Sequence, residues 1–253
     1  MSKIIAQGAE AKIVLSNNFI IKDRIPKAYR LDILDKRIRK SRTRSETKLL
    51  EKASQIINSP KPSFQQSAKE TTKIKMPFVD GKRLSTNLDS FTLKKQEEIC
   101  KIIGTDVGKL HDAGIIHGDL TTSNMILVEK SNNKLNRIIN VKDNNSLKNK
   151  LLTINNKSVS EATQVERGGL GVGGESKVSV FLIDFGLGYI SHKTEDKAVD
   201  LHLLKQALEA KHFKKWQILW KQVEIGYKSS KESDKTIKRL EAVEKRGRYK
   251  DKY

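Results

Sequence analysis

The sequence predicts an α+β fold in two parts, a sheet-rich N-terminal part and a larger helical C-terminal part. Three observations carry that prediction. Short apolar runs broken by turn residues crowd into the first fifth of the 253 residues. Apolar positions at helical spacing recur after residue 90. One strongly apolar run, 178–183, stands alone before the last helices.

Taken in order, 3–7, 12–15 and 19–22 read as short strands. Asn17-Asn18 separates the last two, and Asn tolerates the positive φ that a two-residue hairpin requires. Residues 31–53 read as a helix ending in the apolar pair Leu49-Leu50, and the Pro-, Ser- and Gln-rich stretch 58–72 as loop. The run 74–79 is a strand closed by Asp80-Gly81. Residues 93–113 place Ile99, Ile103, Val107 and Leu110 along one side of a helix, with Gly114 suited to the C′ position. Residues 115–128 alternate between apolar and polar clusters. Helices are predicted over 200–210, 213–227 and 232–245, the last with Ile237, Leu240 and Val243 inward, and 245–253 is a basic tail. The expected division is 1–80 and 81–253.

The segment 129–177 differs from the rest. It is rich in Asn, Ser and Lys, carries no dependable period, and closes on Arg167-Gly168-Gly169-Leu170-Gly171-Val172-Gly173-Gly174. A compact domain rarely needs so long a structureless connection, so a disordered surface insertion is expected. Its glycines lack the Gly-Lys-Ser/Thr ending of a phosphate loop, and no helix-forming run follows them directly.

Charge sets the class of partner. With 50 Lys+Arg against 30 Asp+Glu the formal net charge is +20, which predicts attraction to a polyanion, most simply nucleic acid. The charge concentrates at 22–44, with ten Lys/Arg against three Asp/Glu, and at 226–253, with ten against five. Few aromatics lie among these charges, which favours contact with the backbone of folded RNA over base stacking. A helix presenting Lys36, Arg37, Arg39, Lys40, Arg42 and Arg44, together with a tail carrying Arg246, Arg248, Tyr249 and Lys250, would be that surface. The alternative is a merely solvated face. The single cysteine, Cys100, excludes a disulfide scaffold and a cysteine-based zinc site. No apolar run reaches the ~18 residues of a membrane span, and the N-terminus lacks a signal-peptide core, so a cytoplasmic chain without a membrane partner is expected.

The chemistry sits in His117-Gly118-Asp119-Leu120-Thr121-Thr122-Ser123-Asn124 and Leu182-Ile183-Asp184-Phe185-Gly186. Phosphoryl transfer asks a protein for positioning and charge neutralisation more than for covalent help. Asp119 is a candidate base for a hydroxyl proton. Asn124, five residues on, and Asp184, on a following strand, are hard oxygen ligands for Mg²⁺, which takes few protein groups and completes its shell with phosphate and water.

These two segments resemble the catalytic loop and DFG motif of the protein-kinase-like fold. By that resemblance Gln7-Gly8-Ala9-Glu10-Ala11 stands where a glycine-rich loop covers the phosphates. Lys22 stands for the strand lysine that holds α- and β-phosphates, and Glu46 for its ion-pair partner. Adenine would be met by the Pro77 carbonyl and the Val79 amide; proline has no N–H, but that position needs only an acceptor. The order and spacing of the parts agree, and the resemblance implies a two-lobe kinase-like fold. Ile25-Pro26-Lys27-Ala28-Tyr29-Arg30, the Thr-Thr-Ser-Asn ending of the catalytic loop, Glu195-Asp196-Lys197 and Arg246-Gly247-Arg248-Tyr249 narrow it. The chain resembles the PRPK family, the small atypical kinase/ATPase of the KEOPS complex, nearly end to end outside 129–177. That resemblance implies ATP and Mg²⁺ as cofactors and ATPase and Ser/Thr kinase activity. It also implies support of threonylcarbamoyladenosine formation on tRNA beside a Kae-type carbamoyltransferase subunit and the other KEOPS subunits.

Departures from regulated kinases shape the expectation further. Gly118 replaces the arginine that would pair with an activation-loop phosphate. The stretch from Asp184 to Glu195 is short and no Ala-Pro-Glu follows it, so the activation segment is reduced, the helical C-lobe is small, and a groove for diverse protein substrates is not expected. Thr121 replaces a catalytic-loop lysine, and the phosphate loop has one glycine, Gly8, where three are usual. Glu10 would either contact phosphate-bound metal, pair with Lys22, or lie free at a strand edge. His111 and His117 read as structural hydrogen-bonders. Asp200 would open a helix and brace the catalytic-loop backbone, or serve only as an N-cap. Two rivals remain: a small-molecule kinase of the aminoglycoside or choline type, which also carries His-Gly-Asp, and a non-catalytic scaffold in an RNA-binding complex.

Overall fold

A computed structural model describes residues 2–63, 72–129 and 178–246. Contacts divide the chain into one unit of Met1–Glu129 with Val178–Tyr253 and a second of Lys130–Lys177. The second unit, and with it all but Glu129 of the expected insertion, lies outside the described residues, as do 64–71 of the expected loop and the tail beyond Arg246.

The chain opens with a four-stranded antiparallel sheet in the order β1-β2-β3-β4, made of β1 (Ser2–Gln7), β2 (Ala11–Ser16), β3 (Phe19–Arg24) and β4 (Lys73–Pro77). Asn17 and Asn18 sit at φ 48° and 60°, the left-handed pair that a tight hairpin between β2 and β3 requires. Between β3 and β4 runs α1 (Asp32–Ala53), which buries Glu46, Leu49, Leu50 and Ala53 on one side and leaves most of its basic residues outward or half-buried. Asp32 and Asp35 occupy its first turn and Lys52 its last, which complements the helix dipole.

Five further strands follow, in a three-stranded and a two-stranded sheet. β5 (Lys82–Arg83) leads into α2 (Leu84–Asn87) and a 3₁₀ turn, then α3 (Leu93–Asp112) and β6 (Ile115–Ile116). A second 3₁₀ turn, Thr122–Asn124, delivers the chain into β7 (Met125–Glu129). β8 (Val178–Leu182) pairs antiparallel with β7, from Met125 opposite Leu182 to Glu129 opposite Val178, and β5 completes that sheet in the order β5-β7-β8. β9 (Tyr189–Ile190) pairs with β6. Three helices end the described chain: α4 (Thr194–Lys211), α5 (Trp216–Tyr227) and α6 (Ser233–Lys245).

The first of these corrects the expected helix over 200–210. Helix α4 starts six residues earlier, with Glu195 and Asp196 in its first turn. Its apolar stripe begins only at Ala198 and Leu201, so periodicity alone places the start too late. Asp200 is therefore a mid-helix residue and no N-cap.

One continuous apolar core joins the α1 and β4 residues Leu50, Ala53, Ile74 and Met76 to the α3 stripe Ile99, Ile103, Val107 and Leu110, and on to Leu204, Leu219 and Val223. The α3–α5 contact is set by glycine at close approach. A Cβ on Gly104 would meet the Val223 carbonyl oxygen at 2.0 Å, and one on Gly226 the Lys101 oxygen at 2.0 Å. Gly114 ends α3 at φ 70°, as its C′ position requires. Among the described residues no helix is long and apolar enough to cross a membrane.

Candidate active site

Strand alternation puts Lys22 and Arg24 on the same, inward face of β3, where both are buried. Lys22 Nζ lies 2.7 Å from Glu46 Oε1 and 2.6 Å from Asp184 Oδ1. The structure thus brings together three residues 24 and 162 positions apart in sequence. Glu46 comes from the buried face of α1, and Asp184 from the turn after β8.

Asp184 adopts φ 65°, a left-handed conformation that Asp tolerates better than most residues. In it Oδ1 also accepts the Gly186 N–H at 3.1 Å. Burial alone would raise the Asp184 pKa, but the Lys22 charge and hydrogen bond, helped by Gly186, outweigh it and hold the carboxyl below its ordinary value. Its side chain remains nearly half exposed.

The catalytic-loop candidates meet each other across the 3₁₀ turn. Asn124 Nδ2 donates to Asp119 Oδ2 at 2.9 Å and to the Asp119 carbonyl at 3.0 Å. Its amide nitrogen is thereby committed, which leaves the carboxamide oxygen as the atom able to ligate a cation. The Ile183 N–H donates to the Asn124 carbonyl at 3.0 Å, joining this loop to the Asp184 turn.

Beneath both lies a buried polar support. Asp200 accepts the His117 N–H at 2.8 Å and the Gly118 N–H at 3.0 Å, and His111 Nε2 stands 3.3 Å from it. Burial would raise the Asp200 pKa; the hydrogen bond and charge of His111, with the His117 contacts, leave it lowered instead. His111 Nδ1 faces the Tyr227 hydroxyl at 2.9 Å, and burial pushes that phenol up to about 12. His117 Nε2 donates to the Ile183 carbonyl at 3.1 Å, while Nδ1 accepts the Asp119 N–H at 3.3 Å, so both contacts assign the Nε2–H tautomer. Both histidines are the structural hydrogen-bonders expected.

Above these groups a cavity of about 230 Å³ opens between the four-stranded sheet and the β5-β7-β8 sheet. Ile5, Ile13, Ile20, Met76, Ile126 and Ile183 make it apolar, and Lys22, Glu46, Asn124 and Asp184 form its charged end. Pro77, Phe78 and Val79 line it too, with the Phe78 N–H held by the Asn18 carbonyl at 2.8 Å. Gly8 begins the turn at the tip of the β1–β2 hairpin, its N–H donating to the Ala11 carbonyl at 3.0 Å, and the Ala9 carbonyl accepts from Lys27 Nζ. Gly8, Ala9 and Glu10 do not line the cavity. Glu10 pairs with Arg42 at 2.9 Å and faces Arg24 at 4.0 Å.

No family model matches the chain. KEOPS complex subunit Bud32 of Pyrococcus abyssi is 32% identical over 264 residues, an alignment that covers 99% of this chain and 97% of that protein. The chain belongs to the Bud32 family. Probable bifunctional tRNA threonylcarbamoyladenosine biosynthesis proteins of Methanococcus maripaludis and Methanobrevibacter smithii are 32% and 34% identical, each over 97% of this chain. The chain spans only 36% of the length of those two relatives. Among solved structures, the Rio2 kinase of Chaetomium thermophilum, in an ADP/Mg²⁺-phosphoaspartate complex, superposes with a TM-score of 0.55 at 14% identity, over 96% of this chain and 69% of that one. The fold is the two-lobe kinase-like one, here with a reduced activation segment: only β9 and short loops separate Asp184 from the start of α4.

In this Bud32-family chain two cations outside the sequence motifs join the site: Arg24, which joins Lys22 on Glu46, and Arg83, which lines the cavity. The i, i+2 relation of Arg24 to Lys22 on a strand was the available signal. Of the basic helix residues, Arg39 pairs with Asp35 at 2.6 Å and Arg42 with Glu10, and Arg246 pairs with Glu195. The basic surface is thus partly neutralised from within.

Proposed function

We propose that the chain is an Mg²⁺-ATP-dependent atypical Ser/Thr kinase/ATPase that supports threonylcarbamoyladenosine formation on tRNA as a KEOPS subunit in the cytoplasm. The observation that carries this reading is the convergence of Lys22, Glu46, Asn124 and Asp184 on one end of an apolar cavity, with Asp119, which does not itself line that cavity, tied to it by the hydrogen bond from Asn124. The apolar walls suit a purine ring, and the Pro77 carbonyl and Val79 amide are our candidates for its edge. Lys22 would hold phosphate oxygens, and the Gly8–Ala9–Glu10 turn would lie over them.

The residues fit a divalent cation. Among the described residues no hydrogen bond engages the Asn124 carboxamide oxygen, and Asp184 is ionised and nearly half exposed. Both offer hard oxygens and leave most of a shell to phosphate and water. When bound, Mg²⁺ would neutralise charge developing on the transferring phosphoryl group. Asp119, oriented by Asn124, accepts the proton of the attacking hydroxyl or water. Lys22 balances phosphate charge at the same end of the cavity.

Membership of the Bud32 family supports the assembly with a Kae-type carbamoyltransferase and other KEOPS subunits, and the net charge of +20 supports tRNA as the polyanion. The deciding measurement is Mg²⁺-dependent ATP hydrolysis and Mg²⁺-ATP binding by wild type and Asp184→Ala, with a pulldown from native lysate read for a carbamoyltransferase-like subunit and tRNA. Turnover lost in the variant, with the fold kept, supports the reading. Unchanged turnover in Asp184→Ala overturns the metal assignment. Absence of nucleotide binding in wild type favours the scaffold, and turnover that depends on an added aminoglycoside or choline favours the small-molecule kinase.

A further inference from the structure

Glu46 is 1% exposed, and its two oxygens face two different cations. Oε1 accepts from Lys22 Nζ at 2.7 Å, and Oε2 accepts from Arg24 Nη2 at 2.5 Å. Arg24 is itself only 5% exposed, and its Nε is buried with no hydrogen-bond partner among the described residues. The other end of its guanidinium stands 4.0 Å from Glu10 Oε2. A Cβ built on Gly186 would lie 3.4 Å from Arg24 Nη2 and 3.5 Å from Lys22 Nζ, so both cations border the same piece of backbone beside Asp184.

This arrangement answers a problem that a lone Lys–Glu pair leaves open. Lys22 is divided between Glu46 and Asp184, 2.6 Å away. Whenever Lys22 turns toward phosphate, Glu46 loses part of its compensation in a place water does not reach, and an uncompensated buried carboxylate is strongly unfavourable. We propose that Arg24 is a positioning residue: it compensates and orients the buried Glu46 carboxylate, so that Lys22 is free to serve phosphate. Arg24 suits the task because the planar fork of a guanidinium fixes direction as well as charge. Through Glu10 the same guanidinium ties the turn between β1 and β2 to the carboxylate on α1. The inference rests on the nucleotide-binding reading above and adds a residue to it.

The test uses the full chain with Arg24→Met, Arg24→Lys, Glu46→Gln and the double variant Arg24→Met/Glu46→Gln. Thermal midpoints are measured without nucleotide, and Mg²⁺-ATP affinity by calorimetry. Arg24→Met should lower the midpoint, and the double variant should recover most of that loss, because the stranded carboxylate is gone. Affinity should fall about tenfold in Arg24→Met and less in Arg24→Lys. Adding Arg24→Met to Glu46→Gln should change affinity less than twofold. Equal further losses in both backgrounds would overturn the proposal, since Arg24 would then act independently of Glu46, and so would wild-type affinity in Arg24→Met. Should Arg24→Met fail to fold, Arg24→Lys in the wild-type and Glu46→Gln backgrounds carries the same comparison. Wild type that binds no nucleotide would overturn the functional reading and this role together, whereas binding unaffected by Arg24 overturns the role alone.

Discussion

Asp200 Oδ1 accepts the backbone N–H of Gly118 at 3.0 Å. With the His117 N–H on its other oxygen at 2.8 Å, a single carboxylate buried in α4 supports the turn that presents Asp119. Asp200→Ala leaves the buried His117 N–H and the partly buried Gly118 N–H without this acceptor, at about 1–3 kcal/mol for a fully buried group and less for a partly exposed one. The expected loss of stability is about 2–5 kcal/mol, read by urea unfolding. A loss below about 0.5 kcal/mol would show that the loop holds its shape without this support.

The same carboxylate sets part of the acid limit. The folded-state pKa values of Asp184 and Asp200 lie below their ordinary values. Such groups contribute stability that is fully present above the unfolded-state pKa, ~4, and lost as pH falls through the folded value. The thermal midpoint should therefore hold from pH 7 to 5 and decline below about pH 4. Asp200→Asn should start lower and decline less steeply over the same acid range. Parallel declines in the two proteins would remove Asp200 from the account.

Gly118 sits at φ 76°, and a Cβ there would meet the Leu187 carbonyl oxygen at 2.3 Å. Left-handed backbone costs a residue with a side chain about 1–2 kcal/mol, and the contact is with backbone that has little room to yield. Gly118→Ala should lose at least about 2 kcal/mol, roughly 4–8 °C for a chain of this size. It should also lower turnover, because Asp119 is the next residue. A neutral Gly118→Ala would mean that Leu187 and the short segment after Asp184 move freely.

Asp119→Asn tests the base. The replacement has nearly the same shape and keeps a carbonyl oxygen to accept from Asn124, so Mg²⁺-ATP affinity should stay within about threefold. Turnover should fall by about 10²-fold or more, the usual contribution of general base catalysis. Turnover within tenfold of wild type would assign the proton to another acceptor.

For RNA, the ion pair of Arg246 with Glu195 directs where the tail is cut. Removing 247–253 deletes Arg248, Lys250 and Lys252 and leaves that pair intact. Binding should weaken about equally across unrelated tRNAs, and the log-log salt slope should shrink by up to about 2–3. An unaltered slope, alone and with a partner subunit, would place the RNA surface elsewhere.

Much of this was legible in the residues. Asn17-Asn18 announced the hairpin that aims β3; the resemblance named Lys22, Glu46, Asn124 and Asp184, which share one cavity, and Asp119, which meets Asn124. Arg24 was hidden because a buried arginine and a solvated one look alike in a basic stretch; only the pairing with Glu46 separates them. Glu10 was undecided for the same reason, since its partner Arg42 lies 32 positions away. The start of α4 was missed because its first turn is polar and gives periodicity nothing to register.

The β7–β8 pairing has a practical side. Glu129 and Val178 are cross-strand partners, so the chain leaves the unit and re-enters it at neighbouring points, with 48 positions between them in sequence. Closing a flexible loop between two such points costs only about 0.6 kcal/mol more for each doubling of its length. A flexible replacement bridge between these two points can therefore vary widely in length at little cost to the β7–β8 pairing. The pair forms a ready socket, where a short Gly/Ser bridge, a fluorescent reporter or an affinity handle can be seated without disturbing either terminus.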